Sequence, residues 1–159
     1  MTQGPINLDV SVGYAVPRTG LPAAVSFRKW VAAALDGRIR DADLAIRIVG
    51  TKEGRALNRH YRGKDYATNV LSFALNEGEA VDGMPLFGDL VLCVPVVERE
   101  AAEQDVPLAA HYAHLTVHGM LHLQGYDHEE DDEADVMEAL ETVILAKLGY
   151  PDPYAAEKT

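Results

Sequence analysis

The chain has 159 residues, of which 48% are hydrophobic and 25% charged, and carries a formal net charge of −11. That length suits one domain over residues 1–159 with a core of its own. No stretch approaches the ~20 apolar residues of a membrane span, and Met1-Thr2-Gln3-Gly4-Pro5 has neither the basic patch nor the apolar run of a signal peptide, so no membrane role and a cytoplasmic location are expected.

From the N-terminus, Ile6 to Val12 alternates as a half-buried strand does, and Ala23 to Leu35, closed by Asp36-Gly37, has helical spacing. Leu44 to Val49 reads as a second strand and Thr51 to Tyr61 as a short helix. Val70–Leu75 and Asp89–Val94 read as third and fourth strands, separated by a Gly- and acid-rich loop from Asn76 to Gly88. The lone cysteine, Cys93, sits in an apolar run; it can form no internal disulfide and reads as a small core residue.

After Pro95 the pattern turns helical: Val96–Gln104, Pro107–Gln124 and Glu130–Leu148. Pro107 suits the first turn of the middle helix and Gly125 a left-handed exit from it. Gly149, Pro151 and Pro153 stop the last helix and leave residues 151–159 as an exposed tail. The fold class is α/β in the α+β sense, a small mixed sheet of about four strands packed with about five helices.

Charge is unevenly spread. Residues 1–64 hold 11 of the 14 Lys and Arg against 5 acidic residues, whereas residues 98–159 hold 3 basic and 15 acidic ones. An acidic molecule can thus carry a basic face for a polyanion, although solvated charges would give the same count.

The middle helix contains His118 and His122, four residues apart, so both rings leave one face and can reach a single ion. Gly125 lets the chain reverse, and His128 can return to that ion from another direction. With 6 His and 13 Gly in the chain, this spacing would arise by accident with a chance on the order of 10⁻⁴ per starting histidine. One Zn²⁺ per chain on three imidazoles, with an open position, is the expectation; such a site brings the pKa of a bound water to about 7 and polarises a phosphoryl oxygen. The pattern His-x₃-His-x₂-Gly-x₂-His is similar to that of metzincin proteases, but Gly119 stands where they have a glutamate base, which disfavours peptidase chemistry.

The stretch His118-Gly119-Met120-Leu121-His122-Leu123-Gln124-Gly125-Tyr126-Asp127-His128 resembles the H-G-x-L-H-L-x-G-Y-D-H block of the YbeY family of bacterial endoribonucleases. Leu57-Asn58-Arg59-His60-Tyr61-Arg62-Gly63-Lys64-Asp65 is similar to its L-N-x-x-Y-R-x-K-D, Thr68-Asn69-Val70-Leu71-Ser72-Phe73 to its T-D-V-L-S-F, and Gly88-Asp89-Leu90 completes the set. Asn69 stands where the family usually has Asp, and Ala74 where it usually has Pro. The resemblance, over roughly residues 44–140, implies a single-strand-specific, zinc-dependent endoribonuclease. It would act in ribosomal RNA maturation, including processing of the 16S rRNA 3′ end, and in ribosome quality control, with rRNA precursors and ribosomal components as partners.

It also implies His118, His122 and His128 as zinc ligands and Arg62 as the functional arginine, with His118 counted beside it in catalysis. A guanidinium fork suits a phosphate beside a metal ion. Arg55, Arg59 and Lys64 either steer RNA or are solvated charges. His114, one turn before His118, is a candidate partner or substrate contact, and Ser72 a strand residue near the cleft. Asp127 either orients an imidazole or caps the next helix, while Glu129 to Glu133 read as acidic residues favoured at a helix N-terminus. His60 and His111 read as surface or core residues. The competing expectation is a non-catalytic ribosome-assembly factor whose structural zinc is closed by Cys93 or Asp127.

Overall fold

The computed structural model describes residues 7–37, 39–74, 85–126 and 130–155. In chain order they form β1 (Asn7–Tyr14), α1 (Ala24–Ala34), β2 (Asp41–Val49), α2 (Thr51–Arg62), β3 (Val70–Ala74), β4 (Leu86–Cys93), α3 (Val94–Gln104), α4 (Leu108–Leu123) and α5 (Asp131–Leu148). The described residues therefore give the expected α+β class, with four strands in one mixed sheet and five helices.

The strand order, β1-β2-β4-β3, could not be read from the sequence. β1 and β4 both run parallel to β2, and β3 runs antiparallel to β4. β4 is thus paired on both sides, and its run Leu90 to Cys93 is buried throughout, as a strand covered on both faces demands. β2 alternates: Ala42, Leu44, Ile46 and Ile48 are buried while Asp41, Asp43 and Arg47 face solvent.

The buried side of β2 joins Leu86, Leu90 and Leu92 of β4 in the main core, beneath Phe27, Trp30 and Val31 of α1 and the apolar body of α4. A smaller cluster, Val49, Leu71, Val91, Cys93 and Val96, with Leu57 packed against it, lies under α2 and α3. Gly54 lets α2 approach, because a Cβ there would lie 3.0 Å from Cys93 Sγ.

β2 and β4 both begin earlier than expected, for one reason. β2 begins at Asp41 and β4 at Leu86, so the expected loop gives up its last residues, Gly88 included, to the sheet. Pairing of Ala42 with Leu86 and of Ala74 with Gly88 holds this region extended despite its glycine. A Cβ on Gly88 would meet Leu123 Cδ2 at 2.9 Å; here glycine serves helix-to-sheet packing, not a turn.

The segment after α5 is not simply an exposed tail. Over its described part Asp152, Pro153 and Tyr154 are half-buried, and Asp152 Oδ1 accepts a bond from the Tyr154 amide at 2.8 Å. No helix among the described residues is long and apolar enough to cross a membrane.

Candidate metal and RNA site

α4 is apolar almost all round, as befits a helix enclosed by the fold. Its neighbours on the sheet are close, since a Cβ on Gly119 would stand 2.7 Å from Leu90 Cδ2, 3.2 Å from Ser72 Oγ and 3.4 Å from Val70 Cγ2. The glycine that replaces a protease's glutamate is thus also the point where helix and sheet meet.

What interrupts the apolar surface of α4 is one stripe. His114, His118 and His122 are half-buried, whereas Tyr112, Ala113, Leu115, Val117, Met120 and Leu121 are buried. Spacing of four places the stripe on one side, as expected. The rings of His118 and His122 lie 4.7 Å apart between centroids, inclined at 76°.

The helix ends as its sequence suggests. Gly125 has φ +99°, its amide bonds to the His122 carbonyl at 3.0 Å, and the Tyr126 amide reaches back to the Leu121 carbonyl at 3.0 Å. This pair of bonds is the Schellman closure, which needs a left-handed residue. The next residues in the sequence that bear on the site are Asp127 and His128. Both of those lie outside the described residues, and no cluster of three His, Cys, Asp or Glu placed to hold a metal ion occurs among the described ones.

His118 and His122 open onto a cleft of about 490 Å³ whose other walls include Asn58, Arg62, Lys64, Asn69 and Ser72. Arg62, at the end of α2, donates from Nη2 to the Ser72 carbonyl at 3.0 Å. Among the described residues its guanidinium bonds to that backbone group and to no carboxylate. The Ser72 hydroxyl donates to the Gly119 carbonyl at 3.4 Å, tying β3 to α4. Asn58, 2% exposed, donates to the Tyr66 carbonyl at 2.8 Å and anchors the chain leaving α2.

The departure at position 69 has a structural counterpart. The Asn69 amide donates to both Glu100 oxygens, at 3.0 and 3.2 Å, and Glu100 also pairs with His111 Nε2 at 2.9 Å. An aspartate at 69 would set one carboxylate against another. His111, 3% exposed, is thereby a core residue, and His60 is an exposed ring stacked edge-on against Tyr61. Arg55 forms a two-pronged bond with Asp65, at 2.8 Å on each arm; its hydrogen bond holds the Asp65 carboxyl below the usual range, and Arg55 is the less available to RNA. Cys93 faces Gly54 of α2 and the smaller core, where burial pushes its thiol pKa up, and it is not among the residues that line the cleft with His118 and His122.

One participant escaped the sequence reading. Glu141 of α5 is 1% exposed, and its Oε1 lies 2.8 Å from His114 Nε2 and 3.3 Å from His118 Nδ1. Tyr154 donates its hydroxyl to both carboxylate oxygens at 3.0 Å. Burial alone would raise the pKa of Glu141, but hydrogen bonds from His114 and His118 bring it down to about 2. The available signal was positional: Met137, Glu141 and Leu145 are the buried residues of α5, so a charge occupies an apolar stripe of spacing four.

An α+β sheet with a histidine-bearing helix laid on it, and a guanidinium across a cleft from two imidazoles, defines the class of molecule. The Endoribonuclease YbeY family model matches residues 22–149, and the chain belongs to that family. Proteins named Endoribonuclease YbeY from Xanthomonas campestris pv. campestris and Stenotrophomonas maltophilia are each 68% identical over 161 aligned positions, covering 99% of this chain and 100% of theirs. One of the same name from Xanthomonas oryzae pv. oryzae is 69% identical over 99% of this chain and 100% of its own. A solution structure of a Thermotoga maritima protein superposes with a TM-score of 0.62 at 24% identity, covering 94% of this chain and 91% of that one, which is a likeness of fold.

Proposed function

We propose that the chain is, as one domain, a metal-dependent endoribonuclease that cuts single-stranded RNA during ribosomal RNA maturation in the cytoplasm. The observation that carries this reading is the cleft in which His118 and His122 share space with Arg62. The family name of its relatives, Endoribonuclease YbeY, supplies the substrate class. Processing of the 16S rRNA 3′ end, ribosome quality control and contact with ribosomal components extend the same reading.

The donor set fits a metal ion: two imidazoles on successive turns of one helix that ends in a left-handed glycine. His118, His122 and His128 would hold it, with Zn²⁺ favoured by all-imidazole donors and an open position. Such an ion supplies Lewis acidity toward a phosphoryl oxygen and acidifies water. The chain's own residues do the rest. Arg62 binds the scissile phosphate through its planar fork and offsets charge as the transition state develops. Lys64 adds a second cation on the same wall, while Ser72 and Asn58 hold that wall in place.

The test is cleavage of an rRNA-derived oligonucleotide by purified protein, with and without a chelator. His118→Ala and Arg62→Glu should each abolish cleavage while the circular-dichroism spectrum stays that of the parent. Undiminished cleavage by either variant, or by chelated protein, refutes the assignment.

A further inference from the structure

His118 belongs to the wall of two cavities. One is the cleft it shares with His122 and Arg62; the other, about 250 Å³, is lined with it by Met137, Glu138, Glu141 and Tyr154. Its Nδ1 faces Glu141 Oε1 at 3.3 Å. Both Glu141 oxygens accept from Tyr154, so the carboxylate stands as the acceptor toward its neighbours and the ring nitrogen facing it as the donor. For His118 that nitrogen is Nδ1, so a metal taken by this ring would be held through Nε2.

We infer that Glu141 is a positioning residue that holds His118 in its Nδ1–H form and fixes the ring for metal capture, with Tyr154 and His114 anchoring the carboxylate. The inference rests on His118 being a metal ligand. Three features set this carboxylate apart from the acidic residues around it. It is 1% exposed, and a charge so buried is tolerated only when its acceptors are filled. His114, His118 and Tyr154 all lie within hydrogen-bond distance of Oε1, and Tyr154 reaches Oε2 as well. It also draws the segment after α5 into the site: the Tyr154 amide bonds to Asp152 Oδ1 at 2.8 Å, and that oxygen accepts from Thr142 at 3.4 Å. A hydrogen-bonded carboxylate behind a ligating imidazole fixes its tautomer and raises its basicity, and losing it typically weakens metal binding about 10- to 100-fold.

Zinc affinity measured by chelator competition on the full chain tests this, together with the ¹⁵N signature of the His118 ring in zinc-loaded protein. Glu141→Gln keeps the size of the side chain but points an NH₂ at one of three donors; its zinc Kd should rise about 10- to 100-fold. Tyr154→Phe removes one hydroxyl from a half-buried ring. It should raise the Kd several-fold while the metal-free protein remains folded at the assay temperature, and it keeps the measurement informative if Glu141→Gln fails to fold. The parent's His118 should carry its hydrogen on Nδ1. Parent-like zinc affinity in the folded variants, or a hydrogen on Nε2, overturns the inference while the metal site stands. A parent protein that holds no zinc overturns the metal reading and this inference with it.

Discussion

Replacing Gly119 by alanine sets two known effects against each other. In an unobstructed helix interior the change stabilises by about 1 kcal/mol, because glycine has the greater backbone freedom to lose. Here the added methyl would stand 2.7 Å from Leu90 Cδ2, and Leu90 is 1% exposed in the main core. Overpacking a dense interior costs about 1–3 kcal/mol, so the net should be a loss of about 1 kcal/mol. For a chain of this size that lowers the melting midpoint by roughly 2–4 °C. Urea and thermal unfolding of the metal-free protein measure it, and Leu90→Ala supplies the control: made together, the two changes should cost about 2 kcal/mol less than their sum, since the truncation clears the contact. Cleavage should fall further than stability does, because a helix pushed off β3 carries His118 away from Arg62, and misplacement by about 1 Å can cost 10²-fold in rate. A Gly119→Ala protein more stable than its parent would show that helix and sheet are not in contact there and refute the reasoning.

Gln124 is 5% exposed and joins two helix ends: its amide donates to the Ala34 and Met120 carbonyls, at 2.8 and 2.9 Å, and its Oε1 accepts from the Asp36 amide at 2.6 Å. Gln124→Leu should therefore destabilise by about 2–4 kcal/mol in urea unfolding, since buried polar groups left unpaired cost about 1–3 kcal/mol each; a change under 0.5 kcal/mol would contradict the bridge. Asp89 has its pKa raised, first by burial and then by Asp43. A carboxyl with a raised folded-state pKa binds its proton more tightly in the native protein, so its cost is absent at low pH and appears as pH rises from about 3.8 through the folded value. Asp89→Asn should accordingly stabilise at pH 7 and give no benefit at pH 3, as read from unfolding midpoints at both pH values.

The sequence carried the helices, the class of fold and the histidine stripe, because period and capping chemistry are local. Spacing of four and a glycine at 125 were enough to put His118 and His122 side by side and to turn the chain after them. Gly88 was misplaced because a glycine reads locally as a break, and only the Leu123 side chain from another element explains it. Glu141 escaped for a like reason: nothing near it in the chain announces that His114, His118 and Tyr154 converge on it. Strand order, set by non-local pairing between β2 and β4, could not be read at all.

Among the described residues β3 lies at one side of the sheet, with β4 as its neighbour on one flank alone. A rim of this kind exposes backbone donors and acceptors that can template another chain, and proteins commonly blunt it with charge. Arg62 does so, taking the Ser72 carbonyl at 3.0 Å. The guanidinium proposed to bind phosphate thus also covers a backbone acceptor of that rim, which would otherwise be open to a neighbouring strand.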